Sequence, residues 1–481
     1  MFIKLRNLLH DKYLILSFLL GLLPASFLIH IIAKDFSGFY FLARSFLKYH
    51  DFAYQIITNY CDNPINSGLN SRAPLVPFLM AISMGVFGRN LLGILLPFFL
   101  ARIFLLPFTF LAAKYFLPKR VAYLTSILII FVPKLQTYSL GSPEADVFVA
   151  LFYVLAIWLY QKSQKLTRAK FAIFIGVVLG LGALAKSTGF AVGLGFLLAV
   201  FLQNLPNLKK SGVKKNLLLA QISFGLVIGP YLFWTLTAHK QIYITTQHDR
   251  SLAYIPANLP ALIYTIPLYL GINFSLGPKA SLVSTILLSF LIVGIIVAIR
   301  KKNYELLLPT LLTLVLISTL ATCVIGGNIP ANYEAITILG FTMFPTVILF
   351  FIGVQTLLGL VSRKVVNKRI SQILITCILL IIMFKFINNY FSAKYAMDFT
   401  GTEYYVSLPT VIKNRREIVE AEYKTENGLR IFTGPSIHTL IRREFAPYKF
   451  DSFSNVYKNL LLATTFLALG VYLWDVLKNK G

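Results

Sequence analysis

The chain reads as an all-α polytopic membrane protein, a bundle of about 12 transmembrane helices with further helices lying in the membrane interface in its first outer loop. Three observations predict this. Of 481 residues, 57% are hydrophobic and only 13% are charged, where soluble domains carry about 25% charged residues. Mean hydropathy is +0.73. The apolar residues also come in repeated runs long enough to cross a bilayer, roughly 18 residues or more. A water-soluble enzyme, a disordered chain and a secreted disulfide scaffold are thereby excluded. Cys61, Cys323 and Cys377 are too few and too scattered for a disulfide framework or a metal-ligand spacing.

The formal charge of +27, from 45 Lys and Arg against 18 Asp and Glu, would suggest a nucleic-acid partner in a soluble protein. Here its location says otherwise. Twenty-three of the 45 basic residues fall in seven short segments, 1–12, 114–120, 161–170, 203–216, 300–303, 363–369 and 478–481, whose one acid is Asp11. Basic, nearly acid-free loops recurring at intervals set by apolar runs are the positive-inside pattern of cytoplasmic loops. A nucleic-acid surface would instead gather its charge on one face among stacking aromatics. Membrane lipids are therefore expected as partners, and nucleic acid is not.

With those loops inside, spans are expected at 13–32, 91–113, 121–138, 147–160, 171–185, 189–202, 217–237, 281–299, 305–325, 335–361, 370–390 and 458–477. Both termini then face the cytoplasm. The first span follows Lys4, Arg6 and Lys12 as a secretory signal would, but its apolar run is too long and no small-x-small cleavage site follows. The runs 171–185 and 189–202 are short for two crossings, which suits tilted or re-entrant helices.

The segments left outside are 33–90, 139–146, 238–280, 326–334 and 391–457. In the first, Asp35 stands directly after the span. Phe39, Leu42, Ala43, Phe46 and Leu47 then recur at helical spacing with Arg44, Ser45 and Lys48 opposite, an amphipathic helix of interfacial character. After the polar stretch 59–72, an apolar run of about fifteen residues opens at Ala73 and ends at Gly88, too short to cross and so also interfacial. The last outer segment mixes Glu403, Glu417, Glu420, Glu422, Glu426, Glu444 and Asp451 with nine Lys and Arg. The chain accordingly divides into a transmembrane module, 1–390, a small extracytoplasmic domain, 391–457, and a C-terminal helix with cytoplasmic tail, 458–481.

An acid just outside the first span, in-plane helices, and a Pro-Leu run (Ala73-Pro74-Leu75-Val76-Pro77-Phe78) closing in Phe87-Gly88 resemble the GT-C superfamily of polyprenyl-phosphate-dependent glycosyltransferases. The likeness is to protein O-mannosyltransferases and lipid A aminoarabinose transferases. Leu117-Pro118-Lys119-Arg120-Val121-Ala122 looks like the family's basic cytoplasmic turn, and Gly141-Ser142-Pro143-Glu144-Ala145-Asp146 like its second outer loop. The run from Gly180 to Gly189, with Leu184-Ala185-Lys186, looks like its Gly-rich Leu-x-Lys turn. The sequence departs from the family where Phe36 follows Asp35 in place of a second acid, where Ala73 stands for the first Pro of Pro-Pro-Leu, and where Asn332-Tyr333 stands for Arg-Tyr.

The resemblance implies transfer of a hexose or pentose from a polyprenyl-phosphate donor to a protein, lipid or glycan acceptor at the extracytoplasmic face of the plasma membrane, with inversion. Such a reaction needs a carboxylate to take the acceptor proton and cations to hold the departing phosphate. Asp35 is the expected base, against the alternative of a solvated helix-end residue. Glu144 and Asp146 are expected to contact acceptor or metal, and Asp146 also to cap the fourth span. No cofactor is required; a divalent ion held by Asp35, Glu144 and Asp146 stays open. Lys186, between two apolar stretches with no acid nearby, is expected to meet the donor phosphate, or else to snorkel to the headgroups. Arg72, His248 and Arg250 are further candidates for substrate binding. Arg102, near the middle of its span, is a cation of the kind that faces a cavity or partner. The competing class is a transporter or flippase for lipid-linked intermediates, which discontinuous helices and intramembrane charge would also suit; it predicts repeats between the halves, and the sequence holds none.

Overall fold

The computed structural model describes residues 11–27, 29–30, 34–50, 55–56, 69–70, 73–130, 145–164, 166–208, 211–239, 255–268, 270, 272, 278–320, 340–362, 376, 378–384, 405–406, 423–426, 429–432 and 450–478. Helices dominate: α1 (Lys12–Phe27), α2 (Lys34–Tyr49), α3 (Leu75–Phe87), α4 (Leu91–Ala113), α5 (Lys119–Ile130), α6 (Asp146–Lys162), α7 (Ala169–Ala185), α8 (Ser187–Asn204), α9 (Ser211–His239), α10 (Ile255–Leu268), α11 (Pro278–Arg300), α12 (Tyr304–Leu320), α13 (Met343–Ser362) and α14 (Phe450–Lys478). The all-α polytopic reading holds. Five helices among the described residues are long and apolar enough to cross a membrane, within 91–113, 187–207, 212–237, 282–300 and 340–360, and α1, α3, α7 and α12 supply shorter apolar helices. Most of the expected span 370–390 lies outside the described residues, as do 131–138 and 335–339.

Three short antiparallel pairs accompany the helices. Ile29–His30 (β1) pairs with Tyr405–Val406 (β4), Gln55–Ile56 (β2) with Leu69–Asn70 (β3), and Tyr423–Glu426 (β5) with Leu429–Phe432 (β6). The first of these ties Tyr405–Val406 to the chain just after α1.

Ring contacts fix how the central helices run. Tyr13 meets Phe110 at 6.2 Å and Phe18 meets Phe104 at 6.3 Å, so α1 and α4 are antiparallel. Phe98 meets Phe148 at 5.5 Å and Phe108 meets Trp158 at 5.6 Å, so α4 and α6 run parallel. Helix α6 sits at the centre, buried along most of its length among α4, α7 and α8. Seventeen residues long, it separates its two ends by about 25 Å at 1.5 Å per residue.

That geometry gathers the basic segments at one end. Lys114 and Lys119 bind Asp11 there, and Lys162 lies over the Trp158 ring. The amide of Asn204 reaches the Tyr160 hydroxyl, Asn216 donates to the Leu166 carbonyl, Gln161 donates to Glu305, and Lys12 pairs with Asp475. The described residues of six of the seven segments, or residues beside them, thus meet at a single basic end; 363–369 lies outside the described residues. Apolar side chains on the flanks, such as Leu226 and Phe233 of α9, face outward, as a helix against lipid requires.

Close backbone approach holds α11 to α13. A Cβ on Gly294 would lie 1.7 Å from the Leu349 carbonyl, and one on Gly353 1.7 Å from that of Phe290. Small residues are how membrane helices reach such contact.

Helix α3 is 13 residues long, short of a crossing, with Phe78, Ile82, Val86 and Phe87 exposed. Helix α2 differs from expectation. Its apolar face is buried at Phe39, Leu42 and Ala43, but Arg44 and Ser45 opposite are buried as well, at 4% and 0% exposure. The polar face is covered at Arg44 and Ser45, and Lys48 on the same face stays exposed. A helix absent from the sequence reading, α10, occupies part of the segment 238–280, expected to lie outside.

Candidate active site

The end of the bundle away from the basic loops carries the buried ion pair between Asp146 and Lys186. Asp146 opens α6, where a carboxylate complements the partial positive charge of the helix N-terminus. Lys186 stands at a break: its backbone is extended, φ −157° and ψ 153°, and it ends α7 and begins α8 in a single residue. Its amide donates to the Gly182 carbonyl at 3.3 Å, and the Gly189 amide donates to its own carbonyl at 2.9 Å. The turn is so tight that a Cβ on Gly189 would lie 1.9 Å from the Gly182 oxygen. Gly189 therefore has a steric task, which is to let two helices abut with one residue between them.

Because α6 and α7 are each 17 residues long and run oppositely, the chain returns to its starting level and places Nζ of Lys186 2.6 Å from Oδ2 of Asp146. The Asp146 side chain is 2% exposed and that of Lys186 19%. Taking two charges out of water costs several kcal/mol per ion, which mutual attraction offsets only at close range. This pair is at close range. The expectation that Lys186 has no acid near it is thus corrected: forty residues of chain fold back to supply one.

Aromatic contacts bring a third element to this end. Phe148, one short step along α6 from Asp146, meets Phe98, which in turn meets Phe39 of α2 at 6.5 Å. Asp35 lies one helical turn before Phe39, in the first turn of α2. The backbone of the expected base is therefore anchored at the same end of the bundle as Asp146 and Lys186; its side chain is outside the described residues. Glu144, Arg72, His248 and Arg250 are also outside them. Arg102 is buried midway along α4.

Among the described residues no group of three His, Cys, Asp or Glu could hold a metal ion. Of the three carboxylates named for a divalent ion, Asp146 is the one whose side chain is described, and a lysine ammonium already supplies its positive neighbour.

The comparisons with known proteins fall on this region. Residues 71–234 match the family model described as dolichyl-phosphate-mannose-protein mannosyltransferase. No curated protein matches the chain. Among solved structures, ArnT from Cupriavidus metallidurans bound to undecaprenyl phosphate is 11% identical with a TM-score of 0.49, over 85% of this chain and 74% of that one. The same enzyme in the apo state is 13% identical with a TM-score of 0.47, over 83% and 72%. The archaeal oligosaccharyltransferase AglB from Archaeoglobus fulgidus, in complex with an inhibitory peptide and a dolichol-phosphate, is 13% identical with a TM-score of 0.45, over 80% and 55%. The GT-C likeness read from short motifs is thus carried by a family model across residues 71–234, the stretch that contains α3 to most of α9 and both members of the buried ion pair.

Proposed function

We propose that this chain is an integral membrane glycosyltransferase that moves a hexose or pentose from a polyprenyl-phosphate carrier to an acceptor hydroxyl, at the outer face of the plasma membrane and with inversion. One observation carries the reading: a buried carboxylate–ammonium pair lies inside the segment that matches the mannosyltransferase family, at the end of the bundle where the helix bearing Asp35 begins.

In this scheme Asp35 takes the proton of the acceptor hydroxyl. The acceptor oxygen forms the new bond to the anomeric carbon while the bond from that carbon to the phosphate oxygen breaks, and the electron pair leaves with the polyprenyl phosphate. Lys186 meets the developing phosphate charge, an electrostatic contribution that grows along the reaction. Asp146 holds the ammonium in place, which revises its role from a substrate contact to a support for one. Arg72, His248 and Arg250 are kept as further donor contacts and Glu144 as an acceptor contact. Should a divalent ion bind, Glu144 and Asp35 would be its ligands.

The test is transfer in proteoliposomes from a radiolabelled polyprenyl-phosphate sugar to cell-envelope acceptors. A labelled glycosidic product is expected, with Asp35→Asn lowering the rate by about 10²–10⁴-fold, the usual worth of a general base. Lys186→Ala is expected to impair use of the donor more than of the acceptor. Movement of the lipid across the vesicle with no new glycosidic bond would overturn the enzyme in favour of a transporter.

A further inference from the structure

The joint at the basic end offers a second binding site, independent of the reaction. Three remote parts of the chain meet there. Asp11 caps α1 by accepting from the Tyr13 amide at 3.2 Å and binds Lys119 at 3.0 Å and Lys114 at 3.9 Å. Asp475, near the end of α14, is held by Lys12 and by the Tyr13 hydroxyl. Arg120 lies within electrostatic reach of both Tyr13 and Asp475 and makes no direct ion pair among the described residues. Four cations, Lys12, Lys114, Lys119 and Arg120, thus surround two acids whose oxygens are already engaged. The surplus charge points outward: the side chains of Lys12, Lys119 and Lys114 are 52%, 51% and 34% exposed, while those of the acids are near 12% and 11%.

The surroundings say what meets that charge. On α14, Phe466, Leu467, Trp474 and Leu477 are exposed on one flank, Trp474 and Leu477 at the level of the buried Asp475, and Tyr115 is exposed beside Lys114. Tryptophan and tyrosine next to lysines, at the end of an exposed apolar face, mark the headgroup level of a bilayer. We propose that this joint binds the phosphate headgroup of an anionic membrane lipid, with its acyl chains along the exposed face of α14, and that the lipid fastens the last helix to the first. Basic crevices between helix ends are suited to such headgroups, each cation near an anionic surface contributing about 1 kcal/mol.

The experiment uses the full chain, purified in neutral detergent and stripped of lipid, with bound lipid counted by native mass spectrometry and stability read by thermal unfolding. Phosphatidylglycerol is expected to bind and to raise the unfolding midpoint by about 3 °C; phosphatidylcholine and inorganic phosphate are expected to do neither. Arg120→Gln, which breaks no direct ion pair, should weaken phosphatidylglycerol binding roughly fivefold, and Lys301→Gln, which removes one charge from a different loop at the same end, should not. Lys114→Gln serves if Arg120→Gln fails to fold. Equal stabilisation by phosphatidylcholine, the same effect from inorganic phosphate, or equal loss in Arg120→Gln and Lys301→Gln would each overturn the proposal.

Discussion

The two ends of the bundle use charge in opposite ways. At the basic end, Asp11 and Asp475 each take more than one donor, and the lysines that supply them remain largely exposed. At the other end Asp146 meets Lys186 with the carboxylate 2% and the lysine side chain 19% exposed. Solvent-screened pairs of the first kind contribute at most about 1 kcal/mol each. A buried pair roughly cancels its own desolvation, yet losing one partner strands the other at a cost of about 3–5 kcal/mol. Two apolar side chains would stabilise the site end as well or better. The buried pair is therefore better explained by the need to fix an ammonium at one spot than by stability, and the basic end by the need to hold helices together and to meet an anionic surface.

The sharpest way to break this contrast is Asp146→Ala. It leaves Lys186 without the carboxylate at 2.6 Å and is expected to destabilise the protein by roughly 3 kcal/mol, with loss of donor use. The double variant Asp146→Leu with Lys186→Met is expected to recover most of the stability and none of the transfer, measured by thermal unfolding beside the radiolabel assay. A double variant that regained activity, or an Asp146→Ala protein as stable as wild type, would mean that the pair is neither coupled nor functional.

Next in size is Gly189→Ala. The added methyl would sit 1.9 Å from the Gly182 carbonyl, so the break between α7 and α8 must widen, at a cost of about 1–3 kcal/mol typical of overpacking. The expected signature is a fall in donor affinity larger than the fall in stability, because Lys186 is the residue at the break. Gly353→Ala, at an equally tight contact with Phe290 but away from the pair, should lower stability without that selective loss. Equal donor affinity in the two variants would show that the turn does not position Lys186.

Helices were the most legible feature of the sequence, because a run of apolar residues in a bilayer must satisfy its own backbone hydrogen bonds. The sorting of basic loops to one end was legible for a similar reason, since charge cannot be left in hydrocarbon. Asp146 and Lys186 each stood out singly, yet their meeting did not: no local pattern links residues 40 apart. The clue was the equal length of the two helices between them, which returns the chain to its starting level. Burial of Arg44 and Ser45 was hidden because periodicity tells which residues share a face, not what later packs against it. The joint between Lys12 and Asp475 spans 463 residues and left no trace in either neighbourhood. Helix α10 is hard to read from sequence because Pro260 and Pro267 interrupt its apolar pattern.

The smallest expected effect tests the other half of the contrast. Lys119→Ala removes the 3.0 Å contact with Asp11 and the cation over the Tyr13 ring, but Asp11 keeps Lys114 and the Tyr13 amide, and Lys119 is half exposed. A loss below about 1 kcal/mol is expected, shrinking further as added salt screens the wild-type pair, with sugar transfer unchanged. The reasoning is that redundancy, and not the strength of any one contact, holds the basic end together. If Lys119→Ala instead cost as much as Asp146→Ala, the joint would behave as a buried network. The two ends would then differ in what they bind, not in how charge is held.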